Sequence, residues 1–90
     1  METRENAGYT ITDNIWVGNK EFVLGERDTP LGVAYVTWES NGKDNYYWGN
    51  YYMQNRLAAV RNLLERTTKE LTILEHKERK IQKEKRSERE

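Results

Sequence analysis

His76 is the chain's single imidazole, and it stands among Glu75, Lys77 and Glu78 in a polar stretch. A metal centre or a proton relay needs converging ligands or a second titratable partner, and no cysteine or further histidine supplies one. His76 therefore reads as an ordinary residue on a helix surface. The carboxylates Asp13, Glu21, Glu26, Asp28, Glu39 and Asp44 are scattered over strand and loop segments. A glycosidase pair would need two of them facing each other across a cleft, and a one-sided sheet in a 90-residue chain leaves little room for one. Turn formation and hairpin solubility explain them more simply. Gly18, Gly25 and Gly32 are evenly spaced, but none opens a helix followed by Lys-Ser/Thr, so they mark turns and not a phosphate loop. A non-enzymatic protein without metal or cofactor is expected.

Aromatic recognition is the chemistry these residues favour. Five of the ten aromatic residues fall in Tyr46-Tyr47-Trp48-Gly49-Asn50-Tyr51-Tyr52, just before a stretch that reads as helix. Side chains of a strand alternate between faces, and one helix covers only one of them, so some rings must stay accessible. Exposed Tyr and Trp bring large contact area with few rotatable bonds. Strand parity groups Tyr46, Trp48 and Tyr52 on one face against Tyr47 and Tyr51 on the other. If Val33, Tyr35 and Trp48 face inward, then Trp16, Trp38, Tyr47 and Tyr51 form the partner-binding set. Cross-strand ring pairs bracing the solvent face are the plainer account of the same residues.

The elements that position these rings follow from pattern. Residues 1–7 are polar and expected to be disordered. Tyr9, Ile11, Ile15 and Val17 alternate with polar positions as a strand, and Gly18-Asn19 reads as a hairpin turn. Glu21–Leu24 is a second strand, Gly25–Gly32 with its proline a loop, and Val33–Glu39 the strongest β segment. A turn at Ser40–Asp44 leads to a fourth strand from Asn45 to about Tyr51. From about Met53 the chain holds neither Gly nor Pro. The expected fold is α+β: a four-stranded antiparallel sheet of two hairpins packed on one long C-terminal helix, with residues 8–76 as a single domain and 77–90 as a charged tail.

Leu57, Val60, Leu64, Thr67, Leu71 and Leu74 recur at spacings of three and four, the a/d rhythm of a helix seam. Ala58, Leu63 and Ile73 widen that stripe early, so the first half should cover the sheet and the second half project. A homodimer through Val60, Leu64, Thr67, Leu71 and Leu74 fits this pattern. Residues 77–90 hold seven Lys/Arg against four Asp/Glu, which leaves eight against eleven in the rest of the chain. An acidic body is a poor footprint for phosphate backbones. Nucleic acid would have to be held by stacking on sheet aromatics and by Lys77, Arg79, Lys80, Lys83, Lys85 and Arg86. No apolar run approaches a membrane span or a secretory leader, so a cytoplasmic location without membrane contact is expected.

The segments EFVLGE (Glu21–Glu26), AYVTWE (Ala34–Glu39) and NYYWGNYY (Asn45–Tyr52), followed by RLAAVRNLLER (Arg56–Arg66), resemble a set of small uncharacterised proteins carried by plasmids and integrative elements of Gram-positive bacteria. The resemblance covers roughly residues 9–75 and brings no catalytic residues with it. It implies a small anti-defence factor, such as an inhibitor of a CRISPR nuclease. Non-catalytic binding of a host or defence protein is the expected function, with a nucleic-acid-binding accessory protein and a structural dimerisation module as the alternatives.

Overall fold

In a computed structural model the protein is α+β, described for residues 4–43 and 45–89, with the backbone alone for 80–89. The sheet has five antiparallel strands in chain order: β1 (Glu5–Asn6), β2 (Tyr9–Val17), β3 (Lys20–Thr29), β4 (Gly32–Ser40) and β5 (Tyr46–Met53). One helix, α1 (Arg56–Arg89), follows. The four-strand expectation is corrected by β1, which the polar start of the chain supplies. Asn6 and Tyr9 close a hairpin through Ala7 and Gly8, both at positive φ, and the Ile11 amide donates to the Arg4 carbonyl at 2.8 Å.

The segment read as a loop from Gly25 is strand as far as Thr29, paired residue for residue with β4 from Gly32 to Val36. Gly25 sits in mid-strand because a Cβ there would lie 3.1 Å from the Tyr9 Cβ and 3.3 Å from a Val36 methyl. The turn is shorter than the composition suggested. Pro30 and Leu31 form it, and the Thr29 hydroxyl closes it by accepting from the Leu31 amide at 3.1 Å and donating to the Gly32 carbonyl at 2.6 Å.

Two bulges shape the sheet. Register slips between Ile11 and Asp13 on β2, and on β5 Trp48 and Gly49 together oppose Trp38. An extra residue inverts side-chain parity beyond it and sharpens local twist. Tyr9 and Ile11 consequently lie on one face of β2 while Ile15 and Val17 lie on the other. The sheet therefore serves two small cores. Phe22, Leu24, Ile15, Val17, Tyr35 and Tyr52 pack against Ala59, Val60 and Leu63 of α1. On the opposite face Val23, Val36 and Trp38 are covered by Tyr9, Ile11 and Tyr46.

That second core has no helix over it; the curl of the sheet closes it. The Tyr9 ring from β2 reaches Trp38 at 5.7 Å and Tyr51 of β5 at 6.1 Å. Arg4 spans the same hollow, donating to both oxygens of Glu21 at 2.7 and 2.9 Å and to the Tyr46 hydroxyl at 2.8 Å. The helix starts at a cap: Asn55 Oδ1 accepts from the Ala58 amide at 3.0 Å, satisfying one of the free donors of the first turn. Its 34 residues span about 51 Å at 1.5 Å each, and its packing on the sheet reaches Leu74, which lies over Gly18.

Candidate functional site

β5 is an outer strand of the sheet, and the largest accessible rings gather on it. Its bulge explains how they are presented. Gly49 is obligatory there because a Cβ would lie 2.8 Å from the Trp38 indole nitrogen and 2.9 Å from the Tyr51 hydroxyl oxygen. With Gly49 pressed onto Trp38, Trp48 takes the left-handed backbone region at φ +59° and turns its indole outward, 76% exposed. For a bulky side chain that conformation costs roughly 1–2 kcal/mol. Tyr47, Tyr51 and Met53 are exposed on the same strand.

The backbone of this edge is held from the helix. Arg66 donates to the Trp48 carbonyl through Nη2 and to Asn62 Oδ1 through Nε at 3.1 Å. Asn62 Oδ1 also accepts from Asn50 Nδ2 at 3.1 Å and from the Thr37 hydroxyl. Burial draws the Arg66 guanidinium below its usual pKa, while the negative charge of Glu39 opposes that shift. Trp48 is thus an exposed side chain on a backbone tied to the helix.

The four rings singled out from the sequence are dispersed. Trp38 is only 4% exposed, at the centre of the concave core, with its ring edge-on to Tyr9 and Tyr51. Trp16 is half-exposed on the same face, laid over Gly42 of the β4–β5 turn. Tyr51 is exposed at the rim of that face, and Tyr47 pairs with Glu39 on the helix side. Parity across the bulge is inverted, so Tyr46 and Tyr51 share the concave face while Tyr52 joins the helix core. The condition that Trp48 faces inward with Val33 and Tyr35 does not hold, since it is the most exposed ring of the strand. The adjacent glycine was the one available signal.

Along α1, Thr67 is buried and Val60 and Leu74 are half-buried against the sheet, whereas Leu57, Leu64 and Leu71 are exposed. Lys77 and Arg79 are exposed on α1; the side chains of Lys80, Lys83, Lys85 and Arg86 lie outside the described residues.

The carboxylates are engaged separately. Asp13 accepts from Arg56 at 3.3 Å, and Glu39 and Glu70 share Lys20 at 4.0 and 3.3 Å, in a cleft between α1 and the sheet. Glu21 is on the other face, 1% exposed, and the Arg4 guanidinium, helped by Asn14 and Ser40, holds its carboxyl below the usual range. Asp44 lies outside the described residues. His76, Glu75 and Glu78 are exposed, and no group of three His, Cys, Asp or Glu placed to hold a metal occurs among the described residues. No helix among them is long and apolar enough to cross a membrane.

Fold and surface together define a small α+β protein: a curled antiparallel sheet with an aromatic edge and one long helix. No protein-family model, no curated protein and no solved structure matches the chain.

Proposed function

We propose that this protein is a non-catalytic protein-binding module whose contact surface is the β5 edge, with Trp48 as its anchor. Trp48's conformation carries the reading. A tryptophan that spends free energy on a left-handed backbone and then leaves its indole in water gains nothing from the fold in return. Tyr47, Tyr51 and Met53 supply the surrounding contact area, in the combination of aromatic anchors and adaptable thioether found where proteins bind proteins. The resemblance to small mobile-element proteins makes a host or defence protein the partner class, with inhibition as the outcome of binding; that part rests on the resemblance alone.

The test is comparative affinity capture from the native host with the wild-type chain and Trp48→Gly, a residue that suits the backbone angle. A protein retained by the wild type and lost by the variant, with the far-ultraviolet circular dichroism of the two unchanged, is the expected result. Identical retained species, or nucleic acid alone, would overturn it.

A further inference from the structure

We propose that a second copy of this chain docks along the outer edge of β2, strand against strand, beneath the leucines of α1 that overhang it. β1 pairs with β2 only near its start, through Tyr9, Thr10 and Ile11, and among the described residues Thr12–Val17 has no strand on its outer side. In the β2–β3 hairpin Val17 and Lys20 flank a two-residue turn, so Val17, Ile15 and Asp13 direct their backbone groups to β3. Asn14 and Trp16 direct theirs outward. An open edge in a monomer is usually blunted by Lys, Pro or a bulge. β5 carries such a bulge in mid-strand; β2 has its own only at Thr12, and from there to Val17 holds neither Lys nor Pro.

The helix face above this edge is apolar and unused. Leu57 is 80% exposed, and Leu64 and Leu71, both half-exposed, follow it at seven-residue intervals along α1. Leu64 borders one hollow with Ile15, and Leu71 borders another with Ile15 and Val17. The open edge is about 20 Å long at 3.4 Å per residue, and the leucine row about 21 Å at 1.5 Å per residue. Their lengths and centres agree, Ile15 lying between Asp13 and Val17 as Leu64 lies between Leu57 and Leu71.

That coincidence favours a second copy over an unrelated strand. Antiparallel pairing of β2 with itself about Ile15 sets Ile15 against Ile15 of the second copy, Asn14 against Trp16 and Asp13 against Val17. The outward groups of Asn14 and Trp16 then bond reciprocally. On the helix face each copy's Ile15 and Val17 enter the space under the other's leucines. The single acidic residue of the edge, Asp13, already holds Arg56 and meets a valine, so like charges do not oppose each other. Five apolar side chains and a five-residue strand from each copy bury on the order of 600 Å² per partner, the lower end of a stable interface. The seam is therefore Leu57, Leu64 and Leu71, with β2 in the place of Val60, Thr67 and Leu74, which the sheet occupies. Both β5 edges stay free at the far sides, which makes the assembly bivalent.

Sedimentation velocity on the full chain from about 5 to about 200 µM should show a reversible species of twice the 10.8 kDa chain mass. Leu64→Glu should raise its dissociation constant at least about tenfold, and Leu57→Glu, at a position outside the core, should do the same with a thermal midpoint unchanged at concentrations where both chains are monomeric. Amide exchange at Asn14 and Trp16 should slow as concentration rises in the wild type and not in either variant. A chain that stays monomeric to the highest concentration overturns the proposal, as does a dimer in which those two amides exchange freely.

Discussion

Trp48 and Gly49 divide one task between them, since the glycine lets the strand touch Trp38 and the tryptophan carries the resulting backbone angle. Replacing Trp48 by glycine removes roughly 1–2 kcal/mol of backbone strain but adds about 0.4–1 kcal/mol of unfolded-state entropy. A net gain of about 0.5 kcal/mol in a urea titration is expected, together with the loss of partner described above. Stability and binding should move in opposite directions. Glu21 offers a second residue-scale test. Its carboxyl lies below the ordinary range in the folded state, so the unfolded chain takes up the proton first as pH falls. The contribution of the pair is whole above the unfolded value of about 4.3 and is lost as pH drops through the folded one. Glu21→Gln should cost about 2 kcal/mol at neutral pH, less than a fully buried pair because Arg4 is partly exposed, and should flatten the acid limb of stability against pH. An unchanged acid limb would remove the Arg4 bridge as its cause.

Among the elements, the helix cap is the simplest to test: Asn55→Ala should lower stability by about 1 kcal/mol, read as a shift in thermal midpoint with no change in contact with partners. Much of the element plan was legible in the sequence. The alternation from Tyr9 to Val17 and the branched run from Val33 each fall within an observed strand, and the helix expected from about Met53 begins at Arg56. Alternation could not show on which side a strand's residues end up once a bulge intervenes. Thr12 and the Trp48-Gly49 pair each add one residue, so a pattern that looks continuous serves the helix core at one end and the concave core at the other. The proline-containing segment misled for a different reason. Gly25 stands in the strand through steric need, and charged Glu26, Arg27 and Asp28 fit a strand with ladder partners on β4. β1 was illegible because its place depends on Arg4 finding Glu21 and Tyr46, residues far along the chain.

Across the whole molecule, two cores on a single sheet leave the long helix with more length than the sheet can use. Leu74 lies over Gly18, and Glu75 to Arg79 are exposed, so among the described side chains the burial of α1 on the sheet ends before residue 77. A chain ended after His76 should therefore lose only the helical ellipticity of the residues removed from α1 and no more than about 3 °C in thermal midpoint, because a helix end without tertiary contacts contributes about 0.5 kcal/mol at most and 1 kcal/mol corresponds to about 4–8 °C in a domain of this size. The same truncation separates the charges: what remains holds eight basic residues against eleven acidic ones. It should show no affinity for duplex or single-stranded DNA at low salt, and any affinity of the full chain should fall steeply with salt, since only the tail brings net positive charge. The leucine row and the β2 edge both lie before the cut, so self-association should survive it. A drop of more than about 8 °C on truncation would mean that residues beyond His76 return to the body of the protein, and the division between a packed first half of α1 and a projecting second half would then be given up.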